Sequence, residues 1–136
     1  MNSIYGVIVS GMGAARNSIA KQKQFLTPYC PDLSGCHEAT LNVYLMSPLR
    51  ILRWDIKTDI IEWKPGAREW FKLLRIEFSY DGRDAPGWVY QAQHTPHRRN
   101  PFLVELLLPK FDLSEEKLCR LTFPRQLDQM TMCVLS

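Results

Sequence analysis

The feature that most constrains the fold is a succession of short apolar runs, each bounded by Gly, Pro or Asn/Asp residues. The runs cover residues 4–10, 39–45, 73–80, 88–92, 102–108 and 118–123. Gly11 follows the first run, Asp81-Gly82 the third and Pro109 the fifth. Runs of this length, rich in β-branched and aromatic residues and ended by turn residues, are typical of strands. We therefore predict an all-β protein with minor helix, closed as a β-barrel.

The segment Ala39–Leu45 gives the clearest strand pattern. Apolar side chains at Leu41, Val43 and Leu45 alternate with Thr40, Asn42 and Tyr44. Because successive side chains of a strand point to opposite faces, this alternation predicts one buried and one polar face. The run Ile4–Ser10 is rich in β-branched apolar residues and ends at Gly11, so it is predicted to be a buried strand.

Other segments leave their structure open. Asn17–Phe25 fits a short helix or a long loop, and Trp63–Leu74 fits a helix whose start Pro65-Gly66 would break. Pro48–Asp59 has no clear pattern, and Leu118–Phe123 is predicted to be the last strand. We treat residues 1–136 as a single domain with a weakly patterned tail from about residue 125.

Composition narrows the cellular setting. The chain has 136 residues, a net charge of +3 and four cysteines, none of them in a CxxC pair. These cysteines fit neither a zinc site nor a disulfide scaffold, so we expect reduced core residues in a cytoplasmic protein. No apolar run approaches the roughly 18 residues of a membrane span, and the mild charge fits a small anionic ligand better than nucleic acid.

Two backbone features could bind phosphate. The first is the turn of residues 11–16, whose glycines can expose successive N–H groups to an anion and whose Arg16 offers a planar cation. The second is the basic loop of residues 94–101, which contains Arg98 and Arg99. A tight turn and a solvated loop are the ordinary alternatives.

Three polar side chains are candidates for chemistry. Thr40 and Asn42 share one face of a predicted strand, and their oxygens suit Mg²⁺, although two polar residues on a solvent face would look the same. Glu105 is the lone carboxylate of an apolar strand, FLVELLL, and is either a general base or a residue on an exposed face.

Taken in order, these blocks resemble the CTP-dependent riboflavin kinases of the archaeal type. The resemblance rests on VIVSGMGAAR, YCPDLSGCHEATLNVYL and HTPHRRNPFLVELLLP, and it spans roughly Ile4 to Phe123. It implies a compact six-stranded, cradle-loop β-barrel of the riboflavin-kinase type. It also implies transfer of the γ-phosphoryl group of CTP to riboflavin, which yields CDP and FMN.

The resemblance also assigns roles to individual residues. Thr40 and Asn42 would hold Mg²⁺, and Glu105 would meet the acceptor hydroxyl as catalytic and flavin-binding residue. Thr95 or His97 would contact the flavin or its phosphate. The nucleotide would lie against two stretches, which comprise Gly11, Met12, Gly13, Ala14, Ala15 and Arg16, and Lys110, Phe111, Asp112 and Leu113.

Alternatives remain open. Ala39, Ala14, Ala15 and Asp112 depart from the family pattern, which favours a non-catalytic nucleotide- or flavin-binding barrel or a kinase for another acceptor. A barrel that binds nucleic acid through Arg98, Arg99 and the tryptophans is a third possibility, against which the low net charge argues. We therefore expect no nucleic-acid or membrane partner.

Overall fold

The computed structural model describes residues 3–10, 16–110, 112–124 and 132–134. Strands predominate in these ranges, and α1 (Arg16–Leu26) is the one α-helix among them. The strands are β1 (Ser3–Ser10), β2 (Leu41–Leu45), β3 (Leu49–Ile51), β4 (Ile56–Lys57), β5 (Ile61–Lys64), β6 (Ala67–Glu69), β7 (Phe71–Tyr80), β8 (Arg83–Ala92), β9 (Leu103–Leu107), β10 (Leu118–Thr122) and β11 (Met132–Val134). Short 3-10 helices cover Pro31–Gly35 and Pro96–Arg99.

The main sheet has seven strands in the order β10-β1-β2-β9-β8-β7-β4, and β10 also pairs with β7. Six of the strands therefore close into a ring, in which each pairing is antiparallel. The first half of β7 pairs with β4 on the same edge where its second half pairs with β10. The prediction of a mostly β chain is confirmed.

Two cores hold the ring together. The inner core collects the alternate side chains that all six strands turn inward, among them Leu41, Val43 and Leu45 of β2. The outer core lies between the other face of β7, β8 and β9 and a cover made of α1, the first 3-10 helix and the β5–β6 hairpin. Both faces of β7 and β8 therefore bury apolar side chains, for example Phe71 in the outer core and Ile76 in the inner core.

Several sequence predictions are confirmed by these elements. The alternation of 39–45 forms β2, and the runs 73–80 and 88–92 lie in β7 and β8. Residues 17–25, for which the sequence left a helix and a loop open, are helical. Asp81-Gly82 joins β7 to β8 with positive φ at both residues, 50° and 74°. That backbone is the tight hairpin turn whose twist matches the strands it connects.

Other predictions are corrected. Residues 63–74 form no helix, because Pro65-Gly66 turns β5 into β6 and Gly66 takes a φ of 82°. β1 is a buried strand on its inner face only: Ile4 and Ile8 are buried, whereas Tyr5 is 49% and Val9 53% exposed. Leu118–Thr122 is not the last strand, since Met132–Val134 pairs with β3.

Within the described ranges, no helix is both long and apolar enough to cross a membrane.

Candidate functional site

The antiparallel register defines two ends of the ring. At one end, which we call the Thr40 end, β1 finishes at Ser10 and β2 begins beside it, with Ser10 opposite Asn42. At the other end, the Thr95 end, β8 finishes at Ala92 and β9 begins after the loop of residues 93–102. Candidate residues from distant parts of the sequence therefore lie toward two opposite ends of the ring.

Glu105 lies in the middle of β9, between Asn42 on β2 and Tyr90 on β8 in the cross-strand register. Directly opposed residues project to the same face of a sheet, so these three side chains share the outer face. The Oγ1 atom of Thr95 donates to one carboxylate oxygen of Glu105 at 3.1 Å. The Oγ1 atom of Thr40 donates to the other at 3.5 Å, the long limit of such a bond. The carboxylate of Glu105 thus accepts hydrogen bonds from hydroxyl groups at both ends of the ring.

Thr40 and Asn42 do not occupy a solvated face. Thr40 is fully buried, and the side-chain oxygen Oδ1 of Asn42 is buried with no hydrogen-bond partner among the described residues. An unsatisfied buried oxygen destabilises a fold, so such an atom calls for a ligand or another explanation. Amide, hydroxyl and carboxylate oxygens are the hard ligands that Mg²⁺ prefers, and the donor set fits that ion.

Tyr90 fixes the helix α1 next to this group. Its hydroxyl donates to Oε1 of Gln22, which is buried in α1. Burial raises the pKa of Tyr90, and the nearby Glu105 and Glu69 raise it further. The side chain therefore remains a neutral phenol. Its hydrogen bond anchors α1 to β8, the strand that pairs with β9 beside Glu105.

A cavity of about 420 Å³ opens at the Thr95 end. Thr95 and Glu105 contribute to its wall, whereas Thr40 and Asn42 do not. The rest of the wall is apolar on β3, β8 and β9 and cationic at four side chains, which are Arg50, Lys72, Arg98 and Arg99. Thr95 and Glu105, which are predicted to bind the acceptor, thus line a space that could hold a small molecule. Thr40 and Asn42, the predicted metal ligands, lie outside the wall of this cavity.

The second predicted nucleotide stretch follows β9 at the Thr40 end. Lys110 is exposed, and Leu113 packs against the inner core. The carbonyl oxygen of Asp112 accepts a hydrogen bond from Arg83 at 2.9 Å, at the start of β8. The backbone of this stretch is therefore tied to a cation, while the carboxylate of Asp112 faces solvent.

Some predicted site residues fall outside the described part of the chain. They are Gly11, Met12, Gly13, Ala14, Ala15 and Phe111, together with the side chains of Arg16 and His97. The backbone of Arg16 begins α1, and that of His97 lies in the second 3-10 helix.

Glu69 is the residue that sequence reasoning missed. It is 6% exposed, and its carboxylate accepts hydrogen bonds from the indole Nε1 of Trp63 at 2.9 Å and from the backbone N–H of His94 at 3.0 Å. It therefore holds the start of the loop that carries Thr95. Its sequence context, AREW, alternates like an exposed hairpin and gives no signal of burial.

The cysteines and acidic residues form no further site in the described ranges. Cys30, Cys36 and Cys119 are free, and no three His, Cys, Asp or Glu side chains come together in a metal-binding group. Comparison with models of known protein families finds no match for this chain, and a search of the curated proteins finds none either.

Proposed function

We propose that this protein is a Mg²⁺-dependent kinase that transfers the γ-phosphoryl group of CTP to riboflavin, yielding CDP and FMN. The supporting observation is the position of Glu105, which accepts hydrogen bonds from Thr40 and Thr95. Its cross-strand partner is Asn42, whose buried Oδ1 atom has no hydrogen-bond partner among the described residues. The ring of six strands is compatible with the cradle-loop barrel that the sequence resemblance implies. We place the enzyme in the cytoplasm, where free thiols stay reduced.

In this proposal the two ligands enter from opposite ends. CTP lies at the Thr40 end, against the glycine turn and Lys110–Leu113, and riboflavin lies in the cavity at the Thr95 end. Phosphoryl transfer depends mainly on the positioning of the substrates and on the neutralisation of charge. Residues on the strands and loops of a single domain are sufficient for both. Mg²⁺, held by Thr40 and Asn42, would neutralise charge on the phosphates.

Glu105 has two tasks in the reaction. Its carboxylate orients the ribityl hydroxyl of riboflavin and accepts the proton of that hydroxyl as the oxygen bonds to the γ-phosphorus. The bond between the γ-phosphorus and the bridging oxygen breaks, and CDP leaves with the electron pair. Thr95 holds the carboxylate in orientation from the acceptor side, and Thr40 holds it from the metal side.

The test is FMN formation from riboflavin, CTP and MgCl₂, measured by chromatography of the flavins. Wild-type protein is expected to turn over, and Glu105→Gln is expected to lose at least about a hundredfold in rate, the usual share of a general base. Glu77→Gln is the matched control, because Glu77 is a half-buried carboxylate on β7, another strand of the ring. Flavin or nucleotide binding without any turnover would overturn the kinase in favour of a binding protein.

Asn42→Leu tests the metal assignment separately. Removing an unsatisfied buried oxygen should raise the free energy of unfolding by about 1–3 kcal/mol while abolishing turnover. If Asn42→Leu is more stable but inactive, the amide of Asn42 serves function at the expense of stability. Unchanged turnover, or a loss of stability, would contradict the role given to Asn42.

A further inference from the structure

The indole of Trp70 stands among three cations. Arginine and lysine head groups lie within 6 Å of its ring centroid: Lys72 at 4.5 Å, Arg98 at 5.6 Å and Lys57 at 5.8 Å. Lys72 also lies 5.9 Å from the ring of Trp54. We call Trp70 and its three cations the Trp70 cluster. It brings together β4, β7 and the loop of residues 93–102, which are far apart in the sequence.

None of these cations forms an ion pair in the described part of the chain. The ion pairs there join Arg68 to Glu62 and Arg75 to Asp32, away from the cluster. Lys57 and Lys72 are direct cross-strand partners, and like charges in that position repel. Burial lowers the pKa of Lys72, and the charges of Lys57 and Arg98 lower it further.

Attraction to one indole does not account for this arrangement. A cation over an aromatic ring gains little at an exposed site, and Lys57 and Arg98 are exposed. Three cations around one ring gain that small attraction at the cost of mutual repulsion. A bound anion would convert the repulsion into attraction, which is the usual reason why unpaired cations are held together.

The neighbouring cavity indicates what kind of anion fits. Lys72 and Arg98 belong both to the cluster and to the wall of the 420 Å³ cavity, where Arg50 and Arg99 add two further cations and Glu105 adds one carboxylate, so cations are in excess. Apolar side chains such as Trp54 and Val104 form much of the remaining wall. A ligand that matches both parts carries an anionic group and an apolar or planar body.

We propose that the Trp70 cluster and this cavity bind a small organic phosphate, with its phosphate group against Lys72 and Arg98 and its planar body in the cavity. Guanidinium and ammonium groups are the usual partners of phosphate, and indole rings stack on planar ligands. The site lies at the Thr95 end, whereas the predicted nucleotide stretches lie at the Thr40 end. The ligand would occupy the cavity that the proposed function gives to riboflavin, so the two would compete for it, but the inference concerns binding and its test needs no kinase turnover.

Phenyl phosphate is the probe, and phenol is its neutral counterpart. Isothermal titration of the full chain in EDTA should detect binding of phenyl phosphate and at least tenfold weaker binding of phenol. Lys72→Gln and Arg98→Gln should each weaken phenyl phosphate by about tenfold, the effect of losing one charge-assisted contact. Lys57→Gln should also weaken binding, while the melting temperature of the free protein stays the same or rises because a repulsion is removed.

Two control variants locate the site. Lys64→Gln removes a cation that lies 4.8 Å from the ring of Trp63, on the β5–β6 hairpin away from the cavity, and should leave binding unchanged. Lys110→Gln removes an exposed cation at the Thr40 end and should do the same. Loss of binding in Lys110→Gln with retention in Lys72→Gln would move the phosphate to the other end and overturn the proposal.

The remaining outcomes also decide. Equal affinity for phenol and phenyl phosphate, or no binding of either, would overturn an anion site. Binding of a ten-residue oligothymidylate without binding of phenyl phosphate would replace the small ligand by a nucleic acid. Binding of phenyl phosphate that depends on Lys72 and Arg98, even in a protein with no kinase activity, would support the inference by itself.

Discussion

Replacing Glu69 should reveal how strongly the β5–β6 hairpin is tied to the functional loop. The carboxylate of Glu69 is almost fully buried and accepts one hydrogen bond from the indole of Trp63 and one from the backbone of His94. Glu69→Ala removes the acceptor of both bonds at once. The Trp63 indole, itself 8% exposed, is then left without a partner in an apolar surrounding.

The magnitude follows from the two donors. Hydrogen bonds to a charged acceptor contribute about 1.5–3 kcal/mol each, and a buried donor left unsatisfied costs its desolvation in full. His94 N is near the surface and can be rehydrated, so the Trp63 bond dominates. We expect Glu69→Ala to lower the free energy of unfolding by about 3 kcal/mol, and Glu69→Gln by about 1–2 kcal/mol because one oxygen acceptor remains.

Thermal and urea unfolding measure this effect. In a domain of this size, 1 kcal/mol corresponds to about 3–4 °C, so Glu69→Ala should lower the melting temperature by roughly 10 °C. Glu62→Ala is the matched control: it removes a carboxylate of the same hairpin whose ion pair with Arg68 is 4.0 Å long and exposed. That variant should change stability by less than about 0.5 kcal/mol. Equal effects of the two variants would refute the anchoring role of Glu69.

Two further predictions concern the core. Gly87→Ala would push a methyl group into the side chain of Leu108 and to 2.9 Å from the carbonyl oxygen of Leu107. Urea unfolding should therefore show a free energy of unfolding lower by about 1–3 kcal/mol. Gly35→Ala is the control, because a Cβ atom there would have nothing within 4 Å, and it should leave the free energy of unfolding unchanged. Burial raises the pKa of the Cys119 thiol to about 12 from an ordinary value of 9.0, so the neutral thiol adds stability that is present below pH 9.0 and declines as the pH rises toward 12. Iodoacetamide near pH 8 should therefore spare Cys119 in the native protein, and rapid labelling there would contradict its burial.

The sequence pattern predicted those strands whose alternation or bounding turn residues lie within the strand segment itself. β2 alternates cleanly, and the turn Asp81-Gly82 fixes the hairpin of β7 and β8. The errors arose where tertiary pairing decides. The sequence of β11 has a weak strand pattern, and the strand is defined by its pairing with β3. Pro65-Gly66 forms the turn of the β5–β6 hairpin, whereas the sequence alone was also compatible with a helix over residues 63–74 that these two residues interrupt.

The candidate site was only partly predictable for a similar reason. Thr40, Asn42 and Glu105 stood out because polar residues in apolar strands are unusual, and the register places them together. Thr95 was expected to compete with His97 for one role, and its hydrogen bond to Glu105 now gives it a definite contact. Glu69 and the Trp70 cluster gave no local signal, since their significance depends on burial and on contacts between distant segments.

The length of β9 bears on how one small ring could bring two substrates together. Glu105 is the central residue of a five-residue strand, two positions from each end. A strand rises about 3.3 Å per residue, so each end of β9 lies only about 7 Å along the strand from Glu105. A phosphate that enters from the Thr40 end and a hydroxyl that enters from the Thr95 end could therefore both reach the same carboxylate. In the proposed reaction this short strand makes a second domain unnecessary, because donor and acceptor can bind toward opposite ends of β9 and still meet at Glu105.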